Sequence, residues 1–117
     1  SIRSAVFGTG IPYRKQDHSG VYIETLRTLM DEGCGSIRRL GAAALDLAYV
    51  ASGRLDGFWE FNLKPWDIAA GSIIVTEAGG YISDINGDEN YLKTGNVLSA
   101  NLNLHQDVIN KLSKNLV

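Results

Sequence analysis

Between Gly41 and Gly53 runs the segment Ala42-Ala43-Ala44-Leu45-Asp46-Leu47-Ala48-Tyr49-Val50-Ala51, closed by Ser52. As a helix it would be apolar on nearly every side, and such a helix has to be covered from more than one direction. It is therefore expected to lie buried between layers of a larger architecture. Few folds other than stacked layers of helix and sheet provide that environment.

The flanking segments supply candidates for those layers. Ala5, Val6 and Phe7 form a short apolar run ending in Gly8-Thr9-Gly10 and Pro12, which reads as a buried strand followed by a loop. Val21, Tyr22, Thr25, Leu26, Leu29 and Met30 recur at helical spacing, with Gly33 as the stop. Residues 36–40, carrying Arg38 and Arg39, are a strand candidate, as are residues 55–61 with Gly57, Phe58 and Trp59. Pro65 starts a further helix that Gly79-Gly80 terminates, because proline suits the first helical position and glycine the position after the last. Residues 81–85 alternate as a strand does, Asn86-Gly87-Asp88 is a turn, and residues 97–100 form another strand. In the tail, Val108, Ile109 and Leu112 share one helical face. The pattern is that of an α/β layered sandwich, with a mostly parallel or mixed central sheet flanked by helices. The 117 residues fit one domain, 1–117.

Composition narrows the function classes. A hydrophobic fraction of 44% and a charged fraction of 21% describe an ordinary globular chain. The net charge of -2 gives no electrostatic case for nucleic acid as the main partner. No apolar run approaches the ~20 residues of a membrane span, so no membrane partner is expected. Cys34 is alone, so no intrachain disulfide can form, and a reducing, cytoplasmic setting is the default expectation.

The stretch Lys64-Pro65-Trp66-Asp67-Ile68-Ala69-Ala70-Gly71 carries the clearest chemistry. With Pro65 opening a helix, Asp67 lies in its first turn, where the helix dipole stabilises a carboxylate by ~0.3–1 kcal/mol. The same placement suits a ligand for a hard cation. Position alone leaves both readings open. Ala69, Ala70 and Gly71 keep the next turn slim enough for close approach of a backbone or ligand.

Trp66 to Gly71, followed by Ile74-Val75-Thr76-Glu77-Ala78-Gly79-Gly80, resembles the second signature motif of the inositol monophosphatase family almost residue for residue. Upstream, Arg39-Leu40-Gly41 with the apolar segment, and Gly53-Arg54-Leu55-Asp56-Gly57-Phe58-Trp59-Glu60, are similar to bacterial members. The resemblance runs strongly over residues 36–85 and weakly beyond.

What the resemblance implies is specific. The fold would be the C-terminal domain of the sugar phosphatase fold. Asp67 would be a catalytic ligand of Mg²⁺, and Glu60 would accept hydrogen bonds from substrate hydroxyls. The backbone around Gly41 and Ala43 would lie against the sugar ring and phosphate. Each role suits its residue: a polyol needs carboxylate acceptors, and phosphate favours backbone N–H groups at a helix start. Ala42 departs from the pattern, since many relatives carry serine or threonine there.

The resemblance also implies what this chain does not carry. Relatives use two or three magnesium ions, most of them ligated from an earlier Asp-Pro-hydrophobic-Asp-Gly-Thr motif and an upstream glutamate. Neither occurs here, where Asp56-Gly57 runs into Phe58. Relatives are more than twice as long, and their first half folds as a separate layer. The expected parent is a lithium-sensitive, Mg²⁺-dependent phosphatase of inositol 1-phosphate or a similar polyol phosphate, with this piece inactive alone. Related activities on fructose 1,6-bisphosphate or 3′-phosphoadenosine nucleotides remain open, as does a non-catalytic binding or assembly module. The seam for the first half is expected to be apolar and to drive homo-oligomer formation.

The remaining conspicuous residues read as structural. Arg38 or Arg39 is expected to pair with Asp56 or a neighbouring subunit, and Trp59 and Trp66 to anchor core and loop. His18 and His105 are expected at the solvated surface. Cys34 lacks the surroundings of a nucleophile, and Glu77 is a helix-end residue.

Overall fold

A computed structural model describes residues 1–10 and 19–116. The elements run β1 (Val6–Thr9), α1 (Ser19–Asp31), β2 (Ser36–Arg38), α2 (Ala43–Ala51), β3 (Gly57–Glu60), α3 (Pro65–Glu77), β4 (Tyr81–Ser83), α4 (Tyr91–Thr94), β5 (Val97–Ala100) and α5 (Leu102–Leu116). The strands form one sheet in the order β2-β1-β3-β5-β4. β1 pairs in parallel with β2 and β3, while β5 runs antiparallel to both β3 and β4. The sheet is therefore mixed, with β5 alone reversed, and the α/β layered reading holds. Pro12 and His18 lie outside the described residues.

The sheet is buried on both faces, as alternation along its strands requires. On one face Phe7, Trp59 and Leu98 meet Tyr22 and Leu29 of α1 and Val108 of α5. Trp59 stacks on Tyr22 at 5.7 Å between ring centroids and takes Phe7 edge-on at 6.0 Å. On the other face Phe58, Ile82 and Val97 meet Leu47 of α2 and Ile68 and Val75 of α3. Neighbouring residues Phe58 and Trp59 thus anchor opposite sides of the same strand.

α2 and α3 pack closely because Gly71 has no side chain. A Cβ there would stand 2.8 Å from the Cβ of Leu47. The slim turn expected at residues 69–71 accommodates Leu47, a residue of the chain itself. α2 is covered on one side only: Asp46 and Leu47 are buried, whereas Leu45 is 44% exposed. The expectation of burial between layers is not met within this chain, because the described elements supply a single sheet and α2 lies on its outside. Trp66, expected as an anchor, is 74% exposed, and Ile73 and Ile74 stand open on the same helix. α2 and α3 thus each leave large apolar side chains exposed.

His105 also departs from expectation. It is buried, with Nε2 2.6 Å from Ser83 Oγ and its ring edge-on to Tyr81. Its polar sequence neighbours hid the fact that it lies three residues before Val108, on the buried face of α5. Asp56 takes the Val6 N–H at 2.7 Å, tying the chain before β3 to the start of β1.

Candidate functional site

The candidate site lies at the C-terminal ends of the parallel strands β1 and β3, where ligands of open α/β sheets gather. β3 ends at Glu60, and Asn62 then takes a left-handed conformation (φ 60°) that turns the chain toward α3. The Asn62 N–H is held by Asn96 Oδ1 at 3.2 Å. Asparagine tolerates this backbone region better than most residues. The turn brings the start of α3 back beside the strand that precedes it.

At that start the Asp67 carboxylate reaches back to accept the Lys64 N–H at 3.2 Å through Oδ2. The bond satisfies a backbone donor at the helix mouth, as a capping acid does. Asp67 is half-buried, neither inside the packed interior nor fully in solvent. Of the two readings left open by its position, the capping role is the one this bond shows.

Gly41 (φ +90°) and Ala42 (φ -145°) lead into α2, and Ala42 provides no side-chain cap. The first N–H groups of α2 are thus left for solvent or an anion. Gly41, Ala42 and Ala44 are exposed and Ala43 is half-buried, so the helix mouth is open.

The Glu60 carboxyl lies over Gly10, where any Cβ would collide with it. Burial pushes the Glu60 carboxyl up to about 7, helped by the charges of Asp46 and then Asp67, with Arg39 opposing. Those influences place Glu60 in the electrostatic field of all three residues. Arg39 thus exerts its charge on Glu60.

Sequence reasoning passed over Asp46 and Gly10. Asp46 lies on α2 with 1% of its surface exposed and with neither carboxylate oxygen hydrogen-bonded. Its Oδ1 stands 3.1 Å from where a Cβ of Gly8 would be, so the glycine makes its room. Burial raises the Asp46 carboxyl to about 6. The signal was available: a single acid in an otherwise apolar helix has to go somewhere. Gly10 gave no signal, because its importance depends on where Glu60 points.

Among the described residues no three His, Cys, Asp or Glu side chains converge as a metal-binding group. The chain brings Asp67, Glu60 and the α2 mouth to one end of the sheet without assembling a complete ligand set. Cys34 is partly buried and its thiol is pushed up by burial, which does not suit a nucleophile. No helix among the described residues is long and apolar enough to cross a membrane.

Comparison with known proteins agrees with this geometry. Residues 2–117 match the inositol monophosphatase family. The chain is 49% identical over 100 residues to Nus factor SuhB of Escherichia coli, covering 86% of this chain and 37% of that protein. It is 46% identical over 111 residues to an inositol-1-monophosphatase of Mesorhizobium japonicum, covering 95% of this chain and 41% of the relative. The crystal structure of extragenic suppressor protein suhB from Bartonella henselae superposes with a TM-score of 0.89 at 42% identity, covering 97% of this chain and 43% of the other. The chain thus spans about two-fifths of the length of these relatives. A match across nearly every residue, joined to a shared fold, identifies the chain as a member of the inositol monophosphatase family.

Proposed function

We propose that this chain forms the C-terminal, substrate-holding part of a Mg²⁺-dependent phosphate monoesterase acting on inositol 1-phosphate or a similar polyol phosphate. One observation supports the reading: Glu60 ends β3 at the same end of the sheet where α2 begins uncapped and α3 begins with Asp67 in its first turn. The backbone around Gly41 and Ala43, with the open N–H groups at the start of α2, receives the phosphate. Glu60 accepts hydroxyl hydrogens of the polyol, a role that suits an acceptor-only carboxylate.

Asp67 is the residue here that would ligate Mg²⁺. One half-buried carboxylate does not hold this ion against its hydration shell without further ligands. The described residues therefore do not fit a complete magnesium centre, and no hydrolytic step is assigned to them. The relatives' greater length is where further ligands would come from.

The test is a phosphate-release assay with Mg²⁺ and inositol 1-phosphate. The 117-residue chain is expected to show no appreciable turnover. Turnover near that of a full-length inositol-1-monophosphatase would refute the assignment of the missing ligands elsewhere. A member of the family spanning both halves should hydrolyse the ester and be inhibited by lithium.

A second reading, an assembly module, draws on the exposed apolar side chains Leu45, Trp66, Ile73 and Ile74 and on relatives named Nus factor. A chain that binds a protein through that surface while ignoring polyol phosphates would favour it.

A further inference from the structure

Residues 94–96 have no task in the reading above, yet they grip the loop that separates its two carboxylates. Glu60 ends β3 and Asp67 lies in the first turn of α3, with residues 61–64 leading from the strand to the helix. Glu60 faces Val97 across the β3–β5 pairing. Past that rung the chain just before β5 reaches over to the loop. Asn96 Oδ1 accepts the Asn62 N–H at 3.2 Å, and the Gly95 carbonyl accepts the Leu63 N–H at 2.8 Å. Asn96 is oriented in turn, its own N–H donating to Thr94 Oγ1 at 3.2 Å.

Two unusual backbone conformations accompany this grip. Asn62 is left-handed at φ 60°, a state that a residue with a side chain keeps only where its surroundings hold it. Gly95 is left-handed at φ +74° and buried against Leu63. A Cβ on Gly95 would collide with the Leu63 carbonyl oxygen and stand 3.0 Å from its nitrogen, so glycine alone lets the two backbones meet. The Gly95 N–H closes α4 by donating to the Tyr91 carbonyl at 2.8 Å. No residue of α4 is fully buried and Asn62 is exposed, so these bonds fasten a surface loop and not the core.

We propose that Gly95 and Asn96 are positioning residues, fastening the loop 61–64 so that Glu60 and the mouth of α3 keep one mutual geometry. The inference rests on the polyol phosphate reading above. Groups that grip one small ligand have to be held to about 0.5 Å, and a loop with a strained residue in it does not hold itself. Neither Gly95 nor Asn96 touches the ligand; both act through the backbone between the two acids.

The experiment compares the ¹⁵N-labelled 117-residue chain with Asn96→Ala and with Asn96→Asp, which keeps an acceptor in the same place. Amide exchange is followed at Asn62, Leu63 and Lys64, with urea unfolding as the measure of global stability. Asn96→Ala should speed exchange about fivefold at Leu63 and Lys64, whose bonds run to Gly95 and Asp67 and not to Asn96. Asn96→Asp should leave those two rates near the parent's. A bond of merely local effect would alter Asn62 alone. Amide shifts of residues 41–45 then report the affinity of two probes. Asn96→Ala should weaken inositol 1-phosphate about fivefold and leave inorganic phosphate unchanged, because the bare anion needs only the mouth of α2. A general loss of structure would weaken both and lower the urea midpoint.

Unchanged exchange at Leu63 and Lys64, or the two probes affected alike, overturns the proposal and leaves the polyol phosphate reading intact. Should Asn96→Ala not fold, Thr94→Val removes the acceptor that orients Asn96 at nearly constant size, and the same two measurements decide. If inositol 1-phosphate does not shift residues 41–45 in the unaltered chain, the functional reading falls and the proposal with it.

Discussion

His105 Nε2 lies 2.6 Å from Ser83 Oγ, and that hydroxyl in turn donates to the Asp84 carbonyl at 2.7 Å. A hydroxyl has one hydrogen, so Ser83 accepts from His105, and the imidazole carries its proton on Nε2. The pair fastens the first turn of α5 to the end of β4. Burial lowers the affinity of the ring for a second proton, and its place near a helix start acts in the same direction. With the folded value below the unfolded one, the neutral ring stabilises the fold above about pH 6.5, and that contribution is lost as pH falls below it. His105→Ala should destabilise the chain by about 2–3 kcal/mol at pH 8, read from urea unfolding. The difference should shrink in acid. A constant difference down to pH 4 would count against a buried neutral ring.

Asp46 has the opposite sign. Its folded value of about 6 lies above the 3.8 of an ordinary aspartate, so the stability it allows is full below 3.8 and is lost as pH rises through 6. Asp46→Asn should therefore stabilise the chain at pH 8, by up to about 3 kcal/mol, and leave it unchanged near pH 3. Thermal melts of both proteins across that range give the comparison. Destabilisation at pH 8 would show that the carboxylate has a partner.

Gly71 sets the spacing of α2 and α3. A side chain there meets the Cβ of Leu47, an atom that no change of rotamer can move aside. Gly71→Val should destabilise by about 1–3 kcal/mol, the range of an overpacked core. Pairing it with Leu47→Ala should recover part of the loss, because the second change opens the space that the first one needs. Strict additivity would rule out the contact as the cause.

The exposed apolar side chains Leu45, Trp66, Ile73 and Ile74 should make the chain self-associate at about tens of micromolar, measured by sedimentation velocity. Trp66→Ser with Ile73→Asp should yield a monomer with little change in unfolding free energy, since Ile73 is 63% exposed. A monomeric parent chain would remove the expectation of a homo-oligomer.

Much of this architecture could be read locally. Pro65 and Gly79 mark the ends of α3 to within two residues, and apolar runs locate β1, β3 and β5. The α4 turn was missed because four residues between Asn90 and Gly95 carry no periodicity to detect. Strand order and the reversal of β5 are set by pairings distant in sequence, which no local pattern contains. The same holds for the site. Asp67 is legible from Pro65 beside it, and Glu60 from the family pattern, but the burial of Asp46 depends on Gly8, 38 positions away in the chain (46 less 8). Likewise the face of α2 with nothing on it was invisible to a reading of α2 alone.

The two indoles occupy contrasting surroundings, Trp59 dry against Tyr22 and Trp66 wet at the mouth of α3. Fluorescence therefore reports two processes from one unlabelled protein. Short-wavelength emission from the first follows global unfolding, while acrylamide quenching of the second follows whatever comes to rest on the helical layer. Loss of the second signal without the first would time a docking event directly, with no reporter added to the chain.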